Sequence, residues 1–215
     1  MKKLLVLVLL LLSLPAYAQK SEWMEPSYNF TKARRIYVSY TVAPELRNGI
    51  TEKESSDWFF SQIKKELVEK IPPGYKVESQ FKAEERILNE TGESMESRIT
   101  KSPEEAKTFF AIFLRDNYDL LLEAAFLENK TGKKMVFLGE EVPTTTVTLR
   151  FDVTDTATAK YVLSVLDQRE KSDEMLERRI SPKGMFNRIT ADFSSRFLKA
   201  LQEETGKKVK QDVGF

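Results

Sequence analysis

The chain has 215 residues, with 34 Lys+Arg against 33 Asp+Glu and 31% of its residues charged. So even a balance argues against a nucleic-acid module, which carries a clear basic excess. Cysteine and histidine are both absent, which excludes disulfides, thiol nucleophiles, a Ser-His-Asp triad and ordinary zinc ligation. Any chemistry must rest on Asp, Glu, Lys, Tyr, Ser or an oxygen-ligated cation, and no cofactor is indicated.

Lys2 and Lys3 precede an unbroken Leu/Val run from Leu4 to Leu12. Ser13, Leu14 and Pro15 follow, then Ala16-Tyr17-Ala18. This is the order of a secretory signal peptide over residues 1–18, with the small residues Ala16 and Ala18 marking a cut after Ala18. The apolar run is about half the ~20 residues a membrane span needs, so no stable span is expected after cleavage. Gln19 follows the cut where a lipoprotein would have cysteine. The expected location is periplasmic or secreted. Cleavage would take two lysines, leaving 32 basic and 33 acidic residues. A chain of that remaining length can be held by its core alone.

Residues 19–27 are polar, include Pro26, and are expected as an extended lead-in. A single domain is expected over 28–206. Ile36, Val38, Tyr40 and Val42 alternate with Tyr37, Ser39 and Thr41, the pattern of a half-buried strand. Pro44 and Asn48-Gly49 end it. Thr51 and Glu54 have capping-box spacing, and Phe59, Ile63 and Leu67 place a stripe on the helix that follows. Pro72-Pro73-Gly74 stops that helix, and Tyr75 to Phe81 reads as a second strand. Residues 82–101 show no clear period and read as irregular or partly helical. Ser102-Pro103-Glu104-Glu105 opens a helix with Ala106, Phe109, Phe110 and Phe113 on its face. Together 82–117 form an insertion.

Tyr118 to Leu127 is apolar on both faces and reads as a central strand. Asn129-Lys130-Thr131-Gly132-Lys133 predicts a turn, with a return strand over 134–138. Val147, Leu149, Phe151 and Val153 make a one-sided strand. A loop at 155–158 leads to a further strand over 159–167. Ser181-Pro182 opens the last helix, along which Phe186, Ile189, Phe193, Phe197 and Leu201 keep helical spacing; Gly206 closes it. Residues 207–215 are a basic tail with an apolar end.

These elements predict an α+β fold: a mostly antiparallel sheet of five to six strands, with two to three helices packed on one face. The order resembles a group of bacterial envelope modules. They include the amino-terminal domain of TolB, curli-secretion and penicillin-binding-protein-activator lipoproteins, and related lipoprotein families of unknown function. The segments that carry the resemblance are Arg34-Arg35-Ile36-Tyr37-Val38, Tyr118-Asp119-Leu120-Leu121-Leu122-Glu123-Ala124, Val147 to Asp155 leading into Tyr161-Val162-Leu163-Ser164, and the Phe-rich last helix. The chain departs from the pattern in its insertion and in lacking the lipid-bearing cysteine. The resemblance implies an assembly or binding module and assigns no catalytic residue.

Three groups of residues have a functional reading beside a plain one. Asp152 with Asp155, and Glu140 with Glu141, could act as acid, base or cation ligands; as plain features they are a solvated turn and a charged strand edge. Trp23 and Tyr28 either dock on their own domain or mark a partner surface. The tail ends in Val213-Gly214-Phe215, and an apolar terminus can be read by a groove that adds it as a strand, unless it is simply frayed. The 14 phenylalanines read as core, with a Phe-lined ligand cavity as the alternative. The preferred reading is a non-enzymatic exported module of the bacterial envelope that binds a protein partner or cell-wall component. An Asp/Glu- and metal-dependent hydrolase and a small-molecule carrier are the alternatives.

Overall fold

The computed structural model describes residues 19–47, 52–135, 141–172 and 182–203. The Ala16-Ala18 cleavage site, Thr51, Glu140 and the tail with Val213 and Phe215 lie outside them.

Six strands form one mixed sheet. They are β1 (Gln19–Met24), β2 (Arg35–Val42), β3 (Lys76–Ser79), β4 (Leu120–Met135), β5 (Glu141–Asp155) and β6 (Lys160–Ser172), in the order β1-β6-β5-β4-β2-β3. β1, β6, β5 and β4 pair antiparallel, whereas β2 runs parallel to both β4 and β3. The helices are α1 (Glu52–Ile63), α2 (Gln80–Thr91), α3 (Met95–Lys101), α4 (Pro103–Asn117) and α5 (Pro182–Gln202). α1 continues into a π turn over Lys64–Val68, which buries Leu67. The α+β class and the mostly antiparallel six-stranded sheet are as expected.

The helices differ from expectation in number and in placement. Five are present among the described residues, and they divide between two faces. On the first face, Ile36, Val38, Tyr40 and Val42 of β2 join Leu120, Leu122, Ala124 and Phe126 of β4 and the apolar sides of α1 and α5 in one core. Side chains alternate along a strand, so Tyr37 and Leu121 point the other way. They meet Ala83, Ile87, Phe113, Leu114 and Tyr118 in a second, smaller cluster. The handedness of parallel crossovers gives the reason. The step from β2 to β3 goes outward through α1; the step from β3 to β4 comes back past β2. Two right-handed crossovers in opposite directions must use opposite faces of the sheet.

Residues 82–101 are helical. Gly92 ends α2 with φ +73°, a conformation that glycine adopts without strain, and its N–H donates to the Leu88 carbonyl at 2.8 Å. Ser94 then caps α3 by accepting from the Ser97 N–H. The second strand is shorter than expected, because α2 begins at Gln80. The expected turn at 129–133 is strand. β4 bulges at Leu127 and runs on, with Asn129 facing Val147 and Lys133 facing Pro143. Gly132 is a point of close approach rather than a turn: a Cβ there would stand 3.2 Å from Thr144 Oγ1. Residues 19–24 of the lead-in are extended, but as the edge strand of the sheet.

Phenylalanines fill the first core. Phe151 stacks on Phe193 at 4.2 Å between centroids, Phe193 on Phe197 at 5.8 Å, and Phe59, Phe126 and Phe186 form a group with exposed Trp58 at its rim. This packing is the core reading of the Phe stripe.

Candidate binding surface on the open sheet face

Helices α2 to α4 cover the β3-β2-β4 end of the second face. Among the described residues, their cluster draws nothing from β5, β6 or β1. Strand register therefore defines an open half-face. One row across it runs Glu123, Asp152, Ser164, Trp23; the row on one side is Ala125, Arg150, Leu166, Ser21, and that on the other is Leu121, Thr154, Tyr161. Neighbouring strands lie about 4.8 Å apart, so the central row crosses roughly 14 Å from Glu123 to Trp23.

Asp152 is the most buried acid of the surface. It is only 7% exposed. Ser164 Oγ donates to its Oδ1 at 2.6 Å, and Arg150 Nε lies 2.6 Å from its Oδ2. This overturns the solvated-turn reading of Asp152. Its sequence companion Asp155 does belong to a turn: its Oδ1 accepts from the Thr158 N–H and hydroxyl, and its Oδ2 from the Tyr28 hydroxyl at 2.9 Å. Asp152 and Asp155 are thus not one site. Glu141 pairs with Lys133 at 2.8 Å.

Glu123 stands directly opposite Asp152 on β4. Among the described residues no hydrogen bond or ion pair holds it. Burial, and then the Asp152 charge, push its carboxyl above the usual range, and Arg150 offsets part of this. Further along the face, Glu128 accepts from Thr148 Oγ1 at 2.9 Å and Gln168 Nε2 at 3.0 Å and pairs with Lys130. These contacts hold its carboxyl below the usual range. Of these two acids, Glu128 is paired within the protein and Glu123 is not.

The two aromatics singled out from the sequence part company. Tyr28 docks on its own domain, edge-on to Phe30 at 4.8 Å and bonded to Asp155. Trp23 sits on the edge strand, 46% exposed, and Tyr161 in the adjoining row is 53% exposed. Sequence reasoning missed Tyr161, Glu123, Arg150 and Ser164 as a group. Alternation along each strand carried their facing; what put them together was the strand order.

Two other polar groups are structural. Asp119 takes the Arg34 N–H at 2.7 Å, the Arg35 N–H at 2.9 Å and Arg35 Nη2 at 2.8 Å. Burial opposes its ionisation, but these donors outweigh burial and hold the carboxyl below the usual range. On the covered half-face, Arg86 Nη2 donates to Tyr118 Oη at 2.7 Å, the Tyr118 hydroxyl donates to Glu78 Oε2 at 2.6 Å, and the guanidinium lies over the Phe113 ring at 4.8 Å. Among the described residues no three Asp or Glu side chains gather to hold a metal ion, and no helix is long and apolar enough to cross a membrane.

No family model matches the chain, and no curated protein matches it. Several solved bacterial structures are similar to it over most of its length. PelC of Paraburkholderia phytofirmans, solved as a dodecamer, is 12% identical with a TM-score of 0.42, over 87% of this chain and 99% of that one. Lipoprotein GNA1162 of Neisseria meningitidis is 16% identical with a TM-score of 0.35, over 76% and 99%. Protein XCC0632 of Xanthomonas campestris, a DUF330 protein, is 7% identical with a TM-score of 0.42, over 86% and 94%. No residue's role is taken from them.

Proposed function

We propose that this protein is an exported, non-enzymatic α+β module of the bacterial cell envelope, and that the open half of its second sheet face binds a partner. The observation that carries the reading is the composition of that half-face. A sheet face left without helices is normally dressed in evenly solvated polar side chains. This one instead presents Trp23, Tyr161 and Leu166 around a buried carboxylate and a second, half-buried one that no protein cation pairs. Aromatic and Arg side chains around a desolvated centre are the makings of an interface rather than of a solvated wall. The Lys2-Lys3, Leu4-to-Leu12 and Ala16-Tyr17-Ala18 pattern supports export. The tail residues Val213 and Phe215 are a second recognition element under the same reading.

A photo-cross-linking residue placed at Tyr161 and, as a control, at Ile112 on the exposed side of α4 tests the surface in intact cells. Adducts from position 161 that position 112 does not give are expected. Equal yields from both, or adducts from 112 alone, would move the binding function off this half-face. Repeating the experiment without the last five residues separates the tail's part from that of the face.

A further inference from the structure

We propose that the open half-face docks a cationic protein segment, with a Lys or Arg side chain seated on Glu123 and an apolar residue beside Trp23. This rests on the binding reading above and names the partner's chemistry.

Charge complementarity is the argument. The charged side chains in the Glu123 and Arg150 rows are Glu123, Asp152 and Arg150. Arg150 is committed to Asp152, which leaves one negative charge uncompensated, and Glu128 nearby is already balanced by Lys130. A like charge directly across two strands destabilises the pair, and an arriving cation relieves that. The strand neighbours of Glu123 supply no cation that is free to pair with it. From β5 comes the Asp152 carboxylate, countered in part by Arg150. The β2 neighbour Ser39 is uncharged, and on β4 itself Leu121 and Ala125 flank it. A free carboxyl beside an occupied one, on a surface that also offers apolar stacking area, suits a long aliphatic stem ending in a cation. Trp23 lies three strands away, so it serves a different residue of the same segment. A segment laid across the strands presents side chains to both points.

Only two tryptophans are present, so Trp58→Phe leaves Trp23 as the sole reporter on the surface. The probe is an acetylated, amidated peptide of repeating Lys-Ser-Leu, compared with its Gln-for-Lys and Glu-for-Lys counterparts. The Lys peptide is expected to shift Trp23 emission saturably, more weakly as salt is raised. Glu123→Gln is expected to weaken it by about tenfold, the low end for one charged hydrogen bond. Circular dichroism confirms that this variant folds. Equal binding of all three peptides, or no loss in Glu123→Gln, overturns the cationic partner while leaving the half-face a binding surface. No response to any peptide, with the cross-linking above also silent at position 161, overturns both. Saturation by peptidoglycan fragments in place of the Lys peptide would assign the face to a glycan. Trp23 emission that changes with protein concentration alone would assign it to a second copy. Either result overturns the proposal.

Discussion

The two faces of the sheet solve opposite problems. The first is dry: Phe151, Ile36 and Leu120 of the sheet and Phe193 and Phe197 of α5 are essentially inaccessible. Its energy is burial and ring packing, spread over many contacts. The second is divided. Its covered half is small and pinned by the Arg86-Glu78-Tyr118 group, and its open half carries acids, hydroxyls and exposed rings. A face that has to hold the fold together gains nothing by leaving a half-buried carboxylate without a protein partner. One that meets a partner can carry a modest local cost, because binding relieves it. Under the proposed function, stability rests on the first face and the covered half of the second, and recognition on the open half.

If that separation holds, substitutions on the two faces should differ in kind. The largest effect is expected from Phe193→Ala, which leaves a cavity between Phe151 and Phe197. It should cost about 4 kcal/mol in urea unfolding, near the middle of the range for a buried Phe. Arg86→Met should cost about 2 kcal/mol. It takes the guanidinium from Glu78, which keeps the Tyr118 hydroxyl, and partial exposure of Arg86 softens the loss. If its cost exceeded that of Phe193→Ala, the covered half of the second face would be the true core.

Asp119→Asn should cost about 1.5 kcal/mol at neutral pH, since it removes the charge from three donors. The Asp119 carboxyl titrates low in the folded chain, so its contribution is full above the ordinary Asp pKa and is lost as pH falls through the lowered value. The variant should therefore converge on the wild type in acid. Glu123 has the opposite sign. Its raised value means a penalty absent below the ordinary Glu pKa that sets in as pH rises through the raised one. Glu123→Gln should gain about 0.5 kcal/mol at pH 7 and nothing near pH 4. A loss at pH 7 would mean the carboxylate supports the fold, and the contrast between faces would blur. The smallest stability effect is expected from Tyr161→Ala, within about 0.5 kcal/mol of wild type. Cross-linking through a probe at Ser164 should fall with it, a change that a purely structural residue would not cause.

Particular elements show how far the sequence could be read. The stripe from Phe186 to Leu201 and the alternation from Val147 to Val153 were plain, because their periods repeat and both bury one side. Residues 82–101 were not, although Thr91-Gly92 and the Ser94 cap are written there. Ala83 and Ile87 make too thin a stripe to register, and their partners Tyr37 and Phe113 come from distant parts of the chain. Asn129 to Lys133 has the composition of a turn, yet a full partner ladder on β5 overrides that local preference. Trp23 stood out as an aromatic in a polar stretch, but nothing nearby told of Ser164 or Asp152.

By itself the sequence determined the order of two lysines, an apolar run and small residues in its first eighteen positions, the chemistry that His and Cys would have made possible and here cannot, and which positions along each element are apolar. All of these depend on residue type and short-range spacing. Tertiary structure alone decided which face each helix covers, that Gln19–Met24 completes the sheet, and that Glu123 meets Asp152. Those outcomes depend on strand order and crossover handedness. Both join residues far apart in the chain, and no local pattern encodes them.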